Sequence, residues 1–203
     1  MTTDFPGHTS PAAGLEVPLE MLAACHQRVE RQCATLHRLV AHLARHGADT
    51  DSRSAAAGVI RYFDTAARDH HADEEIDLFP ALIEALAGSD AICVRALVTG
   101  LTDEHRALER RWATLRAGLA RVCDGDASAL QAPDIDEFVD AYARHIARED
   151  DELLPMAARL LGDAELDRIG RAMRARRGLA DLDATPAPAN TRPIGIPVVA
   201  AKR

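Results

Sequence analysis

The chain has 203 residues, enough for one domain with a sizeable core, and its 47% apolar fraction includes only 3% aromatic residues. Leu, Ala, Val and Ile must fill that core, and beside abundant Arg and Glu they make a helix-forming composition. A formal net charge of −8 excludes a broad basic face for nucleic acid, and no apolar run is long enough to span a membrane.

Residues 1–17, punctuated by Pro6, Gly7, Pro11 and Gly14, read as a flexible leader. Pro18 suits the first turn of a helix that carries Leu22, Val29, Leu36, Leu39, Val40 and Leu43 at spacings of three, four and seven and stops at Gly47. Asp49 to Ser54 offers capping side chains for a second helix, through Ile60, Phe63, Ala67, Ile76 and Leu86 to Gly88. Pro80 lies inside that pattern and predicts a kink, as does Pro155 in the fourth helix. Ser89 and Asp90 cap a third helix bearing Leu97, Leu101, Leu108, Trp112, Leu115 and Leu119, closed by the turn Asp124-Gly125-Asp126.

The fourth helix is expected from about Asp134 to Leu161, and a shorter fifth follows Gly162-Asp163 and ends near Arg177-Gly178. Residues 179–203, with Pro186, Pro188, Pro193 and Pro197, read as a flexible tail. The expected fold is therefore all-α: an antiparallel up-down four-helix bundle over 18–161, an added short helix over 162–178, and loose ends. Cys25, Cys33, Cys93 and Cys123 show no CxxC spacing and follow no secretory segment, so they predict free thiols in a cytoplasmic protein, three or four of them packed as small apolar side chains.

The chain carries an internal repeat. His70-His71-Ala-Asp-Glu74 runs on to Leu78-Phe79-Pro80, and His145-Ile-Ala-Arg-Glu149 runs on to Leu153-Leu154-Pro155. Aligned on the prolines, His70 matches His145, Glu74 matches Glu149 and Glu75 matches Asp150. A histidine and a carboxylate four apart share one helix face, about one turn apart. Counting from the turns places more donors at that height. His26 and His70 each lie about 22 residues from the turn near residue 48, roughly 33 Å at 1.5 Å per residue. Similar counts from the next two turns bring His105 level with His70 and with His145. Four helices thus contribute one histidine each to a single layer, leaving His8, His37, His42 and His46 outside it.

The layer offers His26, His70, Glu74, His105, His145 and Glu149. One carboxylate from each half is best used as a bridge between two ions, with His26 and His70 on one ion and His105 and His145 on the other. Imidazole with carboxylate, and no thiolate, suits iron or manganese and accepts zinc; an oxo or hydroxo bridge and exchangeable water would complete the shells. Open positions then admit a small ligand such as dioxygen, peroxide or nitric oxide. His71 and Glu75 form a second pair four apart and could replace His70 and Glu74; the repeat, which matches His71 with Ile146, argues against that and leaves His71 as an auxiliary ligand or an outer group that supports one. Asp150 competes with Glu149 in the same way, and Tyr62 and Tyr142 precede the two motifs as expected core residues.

His26, His70-His71-Ala-Asp-Glu74-Glu75, Glu104-His105 and His145-Ile-Ala-Arg-Glu149, each paired motif followed by its Leu-x-Pro run, make residues 18–161 resemble the hemerythrin-like family of cation-binding proteins. The resemblance implies a four-helix bundle around two iron ions. Oxygen carriers of that family have two histidines one turn apart on the third helix, whereas His105 is flanked at that distance by Leu101 and Glu109. The carriers also use an aspartate five residues after the last histidine, a place that Asp150 fits. The resemblance therefore implies a di-iron protein that binds or senses dioxygen or reacts with small oxygen or nitrogen species. A peroxide-decomposing enzyme and an iron-responsive module for iron or nitrosative stress are its alternatives. The expected partner is a small diatomic ligand or peroxide, with no nucleic acid or membrane, in a monomer or homodimer.

Overall fold

Pro18 occupies the first turn of helix α1 (Pro18–His46), where its missing N–H is no loss. The helix ends at Gly47, whose φ of 73° suits a residue without Cβ and whose N–H closes on the Leu43 carbonyl. These are coordinates of a computed structural model that describes residues 17–86 and 90–179. The expected leader (but for Val17), Gly88, Ser89 and the tail (but for Leu179) lie outside the described residues.

Asp49 caps the next helix, its carboxylate accepting from the Ser52 N–H at 2.9 Å. Helix α2 covers residues 50–85 in four segments: Thr50–Asp64, Ala66–Ala72, a π turn at Asp73–Leu78, and Phe79–Ala85. Helix α3 is Asp90–Cys123. Helix α4 covers residues 132–160 as Ala132–Arg148, a π turn at Glu149–Leu153, and Leu154–Leu160, and helix α5 is Asp163–Arg176. The fourth helix starts before Asp134 because Pro133 fits its first turn. Among the described residues all regular structure is helical, and no helix is long and apolar enough to cross a membrane.

The two interior prolines act differently from a simple kink. Each follows a π turn, in which the Phe79 N–H bonds the Glu74 carbonyl and the Leu154 N–H bonds the Glu149 carbonyl, both five residues back. The widened turn absorbs a residue where the proline ring would otherwise crowd the preceding carbonyl. A second irregularity, unsignalled by hydrophobic spacing, breaks α2 at Thr65 (φ −124°, ψ −84°), whose hydroxyl bonds the Arg61 carbonyl.

Helix α1 packs against α2 and α4, and α3 packs against the same two, so each long helix has two neighbours. Two apolar clusters fill the space between them. One contains Val29, Leu36, Phe63, Ala67, Leu108, Phe138 and Tyr142; the other contains Leu22, Leu78, Leu101, Leu153 and Met173. Helices α1, α2 and α3 pass from one cluster to the other at a buried histidine, and α4 does so just beyond His145, between Ile146 and Leu153. Two of the four cysteines, Cys25 and Cys33, are buried; Cys123 is half-buried and Cys93 exposed, fewer than composition suggested.

Candidate metal centre

His26, His70, His105 and His145, one from each long helix, meet between the two clusters with Glu74 and Glu149, and all six are at most 2% exposed. The His26 and His70 ring centres are 5.0 Å apart, those of His105 and His145 4.7 Å. Glu149 reaches both pairs: its Oε2 is 3.0 Å from His26 Nε2, and its Oε1 is 3.1 Å from His145 Nε2 and 3.6 Å from His105 Nε2. Glu74 does the same, with Oε1 3.5 Å from His70 Nε2 and Oε2 3.3 Å from His105 Nε2. Donor atoms of His26, His70, Glu74 and Glu149 lie within 4.8 Å of one another, as do those of Glu74, His105, His145 and Glu149.

A second ring of carboxylates sets the imidazoles. His26 Nδ1–H donates to Asp150 at 2.7 Å, His105 Nδ1–H to Glu75 at 2.8 Å, and His145 Nδ1–H to Glu104 at 2.9 Å. Such partners fix ring orientation and leave the Nε2 lone pair pointing inward when the ring is neutral. Glu75 and Asp150, matched by the repeat, thus serve the imidazole of a neighbouring helix, His105 and His26. Two of these carboxylates are themselves held by arginine: Glu75 by Arg106, and Glu104 by Arg148 Nη1 at 2.7 Å.

The inner atoms are arranged for a cation. His26 Nε2, both oxygens of Glu74 and both of Glu149 are buried, close to one another, and not aligned for hydrogen bonds; His70 Nδ1 and His71 Nε2 are likewise buried without a partner. His105 Nε2 and His145 Nε2 face each other at 3.1 Å while both Nδ1 atoms donate outward. Two inward lone pairs at that distance repel unless a proton or metal lies between them. The donor set therefore fits divalent metal.

Without metal, protons must offset the buried carboxylates. Burial alone would lower His26 and His105, but Glu149 and Glu74 outweigh it and raise them to about 9 and about 10. Burial dominates at His70 and holds it at about 3, and it also drives His71 well below the ordinary range. Burial and the neighbouring Glu149 push Glu74 up; burial pushes Glu149 the same way, yet His105, His145 and His26 pull it well below its usual value. Two carboxylates this close titrate as a pair.

His71 joins the layer as well: its ring stacks on His105 at 3.9 Å, and its donor atom groups with those of His105 and His145. Asp150 and Glu75 stay outside the inner group. Tyr142 packs in the cluster above, 6.2 Å from the His71 ring, and the Tyr62 hydroxyl reaches the Cys25 carbonyl at 3.5 Å. His37, His42 and His46 lie on the surface side of α1, the first two beside Asp136 and Asp49, and His8 lies outside the described residues. Sequence spacing gave no role to Glu104, nor to Asp73, which is fully buried beside Glu74 and paired with Arg176 and Arg177. The acid preceding His105 was the available signal for the former; none existed for the latter.

Comparison with known proteins agrees with this geometry. The chain is 32% identical over 160 residues to an uncharacterized protein of Haemophilus influenzae, covering 79% of this chain and 90% of that one. The model of the hemerythrin HHE cation-binding domain matches residues 17–157, which take in the first three long helices, both π turns and the fourth helix as far as Ala157. A layer of histidine and glutamate donors inside such a match gives the family assignment a structural basis: the chain belongs to the hemerythrin HHE cation-binding family.

Proposed function

We propose that this is a non-haem di-iron protein that binds or senses dioxygen, or reacts with small oxygen or nitrogen species, at a site held by His26, His70, Glu74, His105, His145 and Glu149. The observation that carries the reading is the set of seven buried side-chain atoms on His26, His70, His71, Glu74 and Glu149 that make no aligned hydrogen bond. Polar atoms are rarely buried in this condition unless something else meets them. In this reading Glu74 and Glu149 would be shared between two ions, His26 and His70 would hold one, and His105 and His145 would hold the other with His71 as a third imidazole. The absence of thiolate in the set favours iron or manganese and accepts zinc.

Iron in this setting supplies one-electron redox change and coordination positions open to a small ligand. The chain supplies the rest. Glu75, Glu104 and Asp150 orient imidazoles, and buried Leu22, Val29, Leu101 and Ile146 keep bulk water and large molecules from the layer. That exclusion limits the ligand to a diatomic molecule or peroxide. The same reading takes the four long helices as an antiparallel up-down bundle, supported by the meeting of His26 and His70 from either side of the turn at residue 48. It places a monomer or homodimer in the cytoplasm, a setting compatible with free Cys25, Cys33, Cys93 and Cys123.

Stopped-flow spectra of iron-loaded protein test the function. A reversible change with dioxygen supports binding or sensing, and steady oxygen evolution from peroxide moves the assignment to a peroxide-decomposing enzyme. No response to either ligand refutes both and leaves a metal-stabilised module.

A further inference from the structure

We propose that Arg176 and Arg177, at the end of α5, are positioning residues for the metal centre: through buried Asp73 they clamp the π turn carrying Glu74 and so govern retention of the ion at His26, His70, Glu74 and Glu149. This rests on the reading of the layer as a two-ion site.

Asp73 precedes Glu74 and is wholly buried, a position where a carboxylate needs close partners. It has two. Arg176 bonds Asp73 and also Asp77 at 2.8 Å, while Arg177 bonds the two Asp73 oxygens at 2.6 and 3.2 Å. The pair therefore grips the π turn at Asp73 and again one turn later. Arg177 Nη1 also donates to the Met173 carbonyl at 2.8 Å, tying the clamp to its own helix. That helix is anchored by fully buried Ile169 and Met173, so the arginines are mounted on a docked element. Arg177 also lies beside the Cys25 thiol, immediately before His26, which brings α1 under the same strap.

The other half of the repeat is built differently. Arg148 stands where Asp73 stands in the first motif, and it pairs with Glu104 on α3. Helix α5 packs on α1 and on the first π turn, so its clamp breaks the twofold likeness of the site. A π turn is a rare conformation held by its surroundings, and here the surroundings hold one glutamate from outside the four-helix unit. Glu74 serves both donor groups, but the clamp also borders Cys25, next to His26, and Asp73, three residues after His70, so loosening it should fall hardest on the ion of His26 and His70.

The test loads the full chain with two equivalents of cobalt(II), an optical stand-in for iron(II), and follows its loss to excess EDTA. R176Q/R177Q should release one ion at least ten-fold faster than the unaltered protein, with the second ion accelerated several-fold less. Asp77→Asn, which removes only the outer contact, should give an intermediate rate, and R176K/R177K should recover much of the slow phase. Arg171→Gln, an exposed site on the same helix, should change nothing. Equal acceleration of the two ions, or of neither, would overturn the clamp while leaving the two-ion site standing. Should R176Q/R177Q fail to fold, unchanged kinetics in Asp77→Asn overturns it instead. Failure of the unaltered chain to hold two ions removes the two-ion site and this inference with it.

Discussion

Glu149 and Asp150 are adjacent carboxylates with opposite expected effects, and exchanging each for its amide separates inner from outer donors. Glu149 is wholly buried, with oxygens 3.0, 3.1 and 3.6 Å from three imidazole nitrogens and no hydrogen bond to any of them. Glu149→Gln removes the charge that both four-atom groups share and replaces one of the two donor oxygens with an amide nitrogen. Metal content should fall from two ions per chain to one or fewer. Asp150 is 47% exposed and meets the centre only through His26 Nδ1. Loss of such an outer partner typically weakens metal binding by about 10- to 100-fold, or about 1.4–2.7 kcal/mol. Asp150→Asn should therefore still fill with two ions at saturating metal, and one should be lost more readily in chelator competition. Elemental analysis of dialysed protein, followed by that titration, reads both effects. The reverse outcome, an emptied Asp150→Asn and a filled Glu149→Gln, would show that the inner carboxylate has been misassigned.

Three further outcomes follow from the same coordinates. His70→Ala should bind at most one ion per chain, whereas His42→Ala, at a surface pair with Asp49, should bind two; equal content in both would refute the layer. In the metal-free protein, His26 at about 9 and His105 at about 10 lie above the ordinary 6.5, so their stabilisation is complete below about 6.5 and lost as pH rises through 9 and 10. His70, held at about 3, has the opposite sign: its contribution is present above about 6.5 and lost as pH falls toward 3. Melting temperature without metal should thus peak near pH 6.5 and fall on either side, and metal binding near neutral pH should release about two protons per chain. A stability optimum below pH 5, or metal uptake without proton release, contradicts these assignments. Phe138→Ala empties a fully buried site between aromatic neighbours and should cost about 3–5 kcal/mol, near 10 °C in melting temperature. A loss below about 1 kcal/mol would contradict the packing described.

Much of the centre was legible in spacing because a long helix converts residue number into height. The positions of His26, His70, His105 and His145 relative to three turns were enough to bring them level. The choice between neighbours was harder. An α-helical wheel allows either Glu74 or Glu75, and either Glu149 or Asp150, to face inward. The π turns resolve it by giving both members of each pair a task, Glu74 and Glu149 inside, Glu75 and Asp150 on the Nδ1 atoms of His105 and His26. Proline at 80 and 155 signalled an irregularity there but read as a kink, because periodicity carries no term for an added residue. The place of His71 stayed open in the sequence because the repeat matches it with isoleucine, and stacking on His105 brings it to the layer. The clamp on Asp73 joins residues about 100 apart through a helix outside the repeat, and nothing local in the sequence points to it.

The most direct measurement is the metal content of protein purified without added metal and then reconstituted anaerobically with iron(II). Two ions per chain, with spectra showing magnetic coupling between them, is the predicted result. A single ion, or none retained after dialysis, would contradict a centre built by six buried donors from four helices.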